Sequence, residues 1–149
     1  MLNTVVRQIA LHSFEEAVHD RRRDGELLPE DLAEIWLKTQ RDCLGDAVRF
    51  DDSYKNFWAY IPHFIHSPFY VYAYAYGDCL VNSLYAVYAK AEEGFAERYL
   101  TLLKAGGSQH HSALLAPFGL DARDPAFWDR GLQMIADFID ELEGLPTHV

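Results

Sequence analysis

Residues 70–91 read Tyr-Val-Tyr-Ala-Tyr-Ala-Tyr-Gly-Asp-Cys-Leu-Val-Asn-Ser-Leu-Tyr-Ala-Val-Tyr-Ala-Lys-Ala, and whether they form a strand or a helix decides the fold. The opening alternation of tyrosine with a smaller residue has the period of a strand. The alanines, and the continuation through Leu80, Val81, Leu84, Tyr85, Val87 and Tyr88, favour one uninterrupted helix instead. Just upstream, Ser67 offers a cap and Pro68 a first-turn proline, so the long central helix is predicted to run from Phe69 to Ala91.

Working outward, Pro62 closes an irregular stretch in which Asp51-Asp52-Ser53 caps a short turn through Phe57, Trp58 and Tyr60. Before it, Pro29-Glu30-Asp31 opens a helix with an inner stripe of Leu32, Ile35, Trp36, Thr39 and Cys43, and Gly45 stops it. From Val5, the residues Val6, Ile9, Ala10, Phe14, Ala17 and Val18 recur at helical spacing, with Arg7, Glu15, Glu16 and Asp20 on the other side. That helix ends near Gly25, and its periodicity starts almost at Met1 without a cap, as though a longer helix were entered partway. On the C-terminal side, Glu93-Gly94 breaks the central helix, and Phe95, Tyr99, Leu102 and Leu103 mark a shorter one closed by Gly106-Gly107. Ser108 caps a turn through Leu114 and Leu115. Asp124-Pro125 then starts a last helix, whose apolar face is Phe127, Trp128, Leu132, Ile135, Ala136, Ile139 and Leu142, ending at Gly144. The expected fold is all-α: a single helical domain over residues 1–149, a bundle of roughly six helices with short connections.

Half of the 149 residues are hydrophobic, and nine Phe, nine Tyr and three Trp fill a core, which excludes a disordered chain. Thirteen Lys and Arg stand against 23 Asp and Glu, and the only basic run is Arg21-Arg22-Arg23 amid acids, so a nucleic-acid partner is not expected. No run of about 18 apolar residues occurs, so no membrane helix is expected either. The first residues lack a charged region followed by an apolar stretch, which points away from a secretory leader and toward the cytoplasm. Cys43 and Cys79 lack metal or redox spacing and read as two reduced, buried thiols.

Residues 61–77 concentrate the chemistry, with His63, His66, Tyr70, Tyr72, Tyr74 and Tyr76. A buried tyrosine needs a partner for its hydroxyl, so four together imply a wet cavity or an internal network. On a helix Tyr70 and Tyr74 share one face and Tyr72 and Tyr76 another, so one pair lines a cleft. A helix starting at Ser67-Pro68 would leave backbone N–H groups beside His63 and His66, a setting for anionic or polarised ligand oxygens. Such donors suit a tetrahedral oxyanion or a peptide carbonyl. A tyrosine-rich helix also serves as a packing surface, and the residues alone leave both readings open. His63 and His66 have no carboxylate or thiol at ligand spacing, so no metal site is assigned to them. His12 and His19 lie seven apart on the first helix and read as partly buried structural histidines. His110-His111 reads as solvent-facing, and His148 lies in the tail. No Ser–His–Asp set, phosphate loop or His-Glu-x-x-His string is present.

The string Ile61-Pro62-His63-Phe64, followed by Pro68-Phe69-Tyr70-Val71-Tyr72-Ala73-Tyr74-Ala75, resembles the segment near the C-terminus of oligoendopeptidase F and its relatives, in the thimet-oligopeptidase family of zinc peptidases. Further matches are Gly45-Asp46-Ala47-Val48, Tyr99-Leu100 with Leu102-Leu103-Lys104-Ala105-Gly106-Gly107-Ser108, and Asp124-Pro125-Ala126-Phe127-Trp128 with Gly131-Leu132, so the likeness covers nearly the whole chain in order.

The resemblance implies the C-terminal portion of a mostly helical, zincin-like catalytic domain that cleaves short peptides in a deep channel. It implies a zinc ion held by the two histidines of His-Glu-x-x-His and a later glutamate, with the motif's glutamate activating water. Carried over, His63 with Tyr70 or Tyr74 would donate to the oxyanion and substrate, and His66 and Tyr72 would contact the substrate. The zinc motif is not in this sequence, so the chain is expected to hold no metal itself, to be inactive alone, and to work with an upstream catalytic half. Self-association through an exposed aromatic face is the expected compensation for missing cover. The rival is a non-catalytic helical binding or assembly module that keeps the fold.

Overall fold

The computed structural model describes residues 3–90 and 93–146. Among them there is no strand, and seven α-helices carry the fold: α1 (Gln8–Arg22), α2 (Pro29–Leu44), α3 (His63–His66), α4 (Tyr72–Tyr88), α5 (Phe95–Ala105), α6 (His111–Leu115) and α7 (Pro125–Glu143). The chain gathers into two compact units, Met1–Tyr76 and Gly77–Val149, and the division falls within α4.

In the first unit a π-helical turn at Asn3–Arg7 leads into α1. Pro29 starts α2, the Asp31 carboxylate accepts from the Leu28 N–H at 2.8 Å, and Gly45 ends the helix at φ 59°, where a side chain would be strained. The irregular stretch is a 3-10 helix over Asp52–Tyr60, capped by Asp51, whose side chain accepts from the Ser53 N–H. Leu11 and Phe14 pack against Ile35 and Trp36, and Ile61 and Val71 close this core. Phe14 is its hub, edge-on to Trp36 at 5.2 Å and 5.1 Å from Phe64.

The apolar stripe on α1 is rotated from the one its sequence suggests. Ile9 is 40% exposed, whereas Glu15, read as a solvent-side acid, is only 3% exposed. Packing against α2 and the segment at Ile61 and Val71 chooses the face, and that choice is non-local. On α2, Gln40 is likewise buried although it was outside the expected stripe.

In the second unit, Leu84 and Val87 of α4 pack with Leu115, Phe118, Leu120 and Phe127. Helices α4 and α7 come so close that a Cβ on Gly131 would lie 2.9 Å from the Cys79 carbonyl oxygen. Beside this contact the buried Ser83 Oγ donates to the Phe127 carbonyl at 2.8 Å. Asp124 caps α7 by accepting from the Ala126 N–H at 3.0 Å, and Pro125 takes the first helical position. Leu132, Ile139 and Leu142, expected on its inner face, are exposed in the structure.

Three boundaries differ from the sequence-based reading. Helix α4 begins at Tyr72 rather than Phe69, because Phe69 takes a positive φ of 58° and breaks the helical path. It ends at Tyr88, with a turn through Ala89 and Lys90, and its expected end at Ala91 lies outside the described residues. Helix α6 is capped by His110, whose Nδ1 accepts from the Ser112 N–H at 3.3 Å, and not by Ser108. Burial pushes the thiols of both free cysteines up, with Asp42 adding to this at Cys43 and Asp78 at Cys79. Cys79 is buried and Cys43 only half-buried. No helix among the described residues is long and apolar enough to cross a membrane.

Candidate functional site

The site is organised by the turn between α3 and α4. Ser67 ends α3 by returning its N–H to the His63 carbonyl at 3.0 Å, and the Tyr70 N–H bonds back to the Ser67 carbonyl at 3.2 Å. Ser67 to Tyr70 is therefore a β-turn with proline second and a positive-φ residue third, the type II pattern in which glycine normally holds the third place. Phenylalanine there costs about 1–2 kcal/mol in backbone sterics. A charge-assisted hydrogen bond offsets a cost of that size, since such bonds contribute about 1.5–3 kcal/mol. The buried Glu15 of α1 supplies one: its Oε1 accepts from the Phe69 N–H at 2.7 Å.

This turn places three rings together. His63 Nε2 lies 3.1 Å from the Tyr74 hydroxyl, within hydrogen-bonding distance. The His63 ring is parallel to Tyr70 at 6.2 Å, and Tyr70 meets Tyr74 edge-on at 5.6 Å. His63 is carried by the first turn of α3, Tyr74 by the first turn of α4, and Tyr70 by the turn between them. Within this chain Tyr70 is 51% and Tyr74 38% exposed, so the two rings brace one another at the surface. Such a cluster offers a ligand oxygen phenol and imidazole donors from a fixed framework.

The backbone donors expected at this helix start are largely taken. The Phe69 N–H goes to Glu15, that of Ala73 to the Tyr70 carbonyl at 2.9 Å, and that of Tyr74 to the Val71 carbonyl at 3.4 Å. Helix α4 begins after the turn rather than at Ser67-Pro68, so side chains, not free N–H groups, are what the site presents.

Of the expected site residues, His63, Tyr70 and Tyr74 come together. Tyr72, 51% exposed, turns to another side and meets the His12 ring edge-on at 6.1 Å. His66 is exposed, and among the described residues no side-chain hydrogen bond or ring contact ties it to the cluster. Burial pushes the Tyr76 phenol up, and the neighbouring Tyr72 adds to the effect.

The sequence reading missed the α1 residues that frame the turn. His12 faces Tyr72, Glu15 holds Phe69, and His19 packs on the Phe69 ring at 4.6 Å. His19 is exposed rather than partly buried, its contact being with another exposed ring. The signal available was spacing: 12, 15 and 19 share one face of a helix.

A zinc ion needs three or more protein donors drawn together. Among the described residues no group of three or more His, Cys, Asp and Glu side chains is so placed, so this chain's residues do not fit as its site.

Comparison with known proteins bears on which chemistry the cluster serves. The sequence model of Peptidase family M3 matches residues 2–134. Over 143 residues the chain is 32% identical to oligopeptidase PepF of Bacillus subtilis, covering 95% of this chain and 21% of that protein. An oligoendopeptidase F homolog of Borreliella burgdorferi is 28% identical over 144 residues, covering 96% of this chain and 24% of the relative. A crystal structure from Chlamydophila abortus, assigned as a peptidase, superposes with a TM-score of 0.82 at 30% identity, over 95% of this chain and 24% of that one. The chain thus spans 21% to 24% of the length of these relatives.

Proposed function

The chain belongs to peptidase family M3, and we propose that it forms the substrate-facing wall of a site that hydrolyses short peptides. His63, Tyr70 and Tyr74 donate hydrogen bonds to the carbonyl oxygen under attack, and His66 and Tyr72 contact the flanking peptide. The observation that carries this reading is the His63 Nε2 to Tyr74 hydroxyl approach at 3.1 Å, closed by Tyr70 and open to the surface.

When water adds to a peptide carbonyl, the oxygen gains negative charge, and donors already aimed at it stabilise that state more than the planar amide. In the tautomer with hydrogen on Nε2, the His63 N–H and the Tyr74 O–H, their heavy atoms 3.1 Å apart, both turn onto the oxyanion as it forms. Tyr70 contributes a second phenol from the adjacent corner. The zinc of the family and the activation of water come from outside these 149 residues, which contain no His-Glu-x-x-His string. The partner is accordingly an upstream catalytic half, and the chain by itself cleaves nothing.

The test is reconstitution. This chain is mixed with zinc and with Bacillus subtilis oligopeptidase PepF lacking its matched 143 residues, and cleavage of a short quenched peptide is followed. The reading expects activity from the mixture and none from either piece. A mixture that forms a zinc-loaded complex and stays inactive contradicts it, as does cleavage by this chain alone.

A second reading, a non-catalytic assembly module of the same fold, is favoured by an apolar groove in the second unit lined by Val81, Leu84, Tyr85, Tyr88, Phe95 and Tyr99. Sedimentation separates the two: the module reading expects a stable homo-oligomer of this chain that takes up no catalytic half.

A further inference from the structure

We infer that Glu15 is the positioning residue of the ring cluster: its carboxylate locks the Ser67–Tyr70 turn in the backbone form that sets Tyr70 beside His63 and Tyr74. The consequence for turnover rests on the peptidase reading, whereas the geometry stands on α1 and the turn alone.

In a type II turn the hydrogen bond closes between the first and fourth residues, here the Ser67 carbonyl and the Tyr70 N–H at 3.2 Å. The third residue's N–H is left without a partner in the turn. That residue is Phe69, and its N–H is the one Glu15 Oε1 accepts at 2.7 Å. Phenylalanine has no preference for φ 58°, so without the carboxylate the peptide unit on either side of Phe69 is free to rotate to negative φ. Tyr70 is the next residue, and its direction follows from that rotation.

The burial of Glu15 argues the same way. It is 3% exposed, and its second oxygen, Oε2, has no hydrogen-bond partner among the described residues. A carboxylate is a costly filler for such a place, and packing alone would be served as well by an uncharged side chain of the same size. What the charge adds is a short, strong bond to one backbone N–H. The same face of α1 holds the turn on both flanks, through His19 on the Phe69 ring at 4.6 Å and His12 edge-on to Tyr72 at 6.1 Å. Glu15 itself touches none of the three rings through a hydrogen bond, so its action is exerted through the backbone of Phe69.

The experiment compares the full chain with Glu15→Ala, Glu15→Gln and the double change Glu15→Ala with Phe69→Gly. The readouts are NMR contacts between the Tyr70 and Tyr74 rings and the hydrogen exchange of the residue 69 amide. Glu15→Ala is expected to lose the ring contact. Glu15→Gln fills the same space with a neutral acceptor, so it keeps the contact but speeds amide exchange at residue 69 by about tenfold. Glycine at 69 adopts positive φ without help, so the double variant regains the contact. In the reconstituted complex, Glu15→Ala lowers kcat by about tenfold or more with little change in KM, and Glu15→Gln restores most of it.

An intact ring contact in folded Glu15→Ala overturns the inference. So does unchanged exchange at residue 69 in Glu15→Gln, a result that does not depend on whether the alanine variant folds. If the contact is lost and turnover is unaffected, the positioning role stands and the peptidase reading of these rings falls.

Discussion

The cores of the two units are built on different principles. In residues 77–149 the buried Ser83 ties α4 to α7 through its bond to the Phe127 carbonyl, and the half-buried Trp128 indole N–H bonds the Ala122 carbonyl at 3.1 Å in the turn before α7. In residues 1–76 the core around Phe14 and Trp36 carries buried polar atoms with no hydrogen-bond partner among the described residues, namely Gln8 Oε1, His12 Nδ1, Glu15 Oε2, Trp36 Nε1, Gln40 Nε2 and Trp58 Nε1. Left dry, an unpaired buried polar atom costs about 1–3 kcal/mol, so these six positions are where the first core differs from the second. The unit that bears this cost also bears the ring cluster and the Glu15 hold on its turn.

The largest stability effect that would sharpen this contrast is at the α4–α7 contact. Gly131→Ala places a methyl 2.9 Å from the Cys79 carbonyl oxygen, and overpacking against backbone should cost about 1–3 kcal/mol in thermal or denaturant unfolding. An unchanged midpoint would mean that the second unit is looser than described.

Next come two substitutions of opposite expected sign. Ser83→Ala removes a satisfied buried bond and should destabilise by about 1 kcal/mol. Gln40→Met, by contrast, removes an amide whose Nε2 is unpaired and whose oxygen has only a long 3.4 Å approach from the Tyr54 hydroxyl. It should be neutral or stabilising by up to about 1 kcal/mol. If both substitutions destabilise equally, the two cores do not differ as claimed.

The smallest effect is a pH dependence on the surface of the second unit. The Arg123 guanidinium hydrogen-bonds Asp121 and holds its carboxyl down from 3.8 to about 2. The folded value lies below the unfolded one, so this stabilisation is present above the ordinary carboxylate range and fades as pH falls toward 2. Asp121→Asn should lose this small stabilisation near neutrality and converge with the unaltered chain as pH falls toward 2, so that its dependence of stability on pH is flatter in that window. Fully exposed charges are screened, so the slope should also shrink in high salt.

Local chemistry made much of the fold legible. Pro29 with its acids, Gly45, and Asp124-Pro125 fixed the ends of α2 and the start of α7 because each acts through its own neighbours. The density of His and Tyr pointed to the segment in which His63, Tyr70 and Tyr74 come together. The turn itself escaped, since Ser67-Pro68 reads as a helix cap and a proline, and nothing near Phe69 signals positive φ. Its cause is Glu15, 54 residues away. Glu15 in turn was set on the wet side of α1 because a carboxylate in a helical pattern is usually solvated, and only its long-range partner shows why it is buried. The same limit hid the pairing of His63 with Tyr74, which needs both the α3 turn and the late start of α4.

The central claim is that His63 and the phenols beside it serve the carbonyl oxygen of a peptide under attack. The most direct measurement is kcat for a short quenched peptide in the reconstituted complex, comparing the unaltered chain with His63→Ala at equal zinc content. Loss of one oxyanion donor predicts a fall in kcat of about a hundredfold or more with KM little changed. A His63→Ala complex that turns over at the unaltered rate would contradict the account.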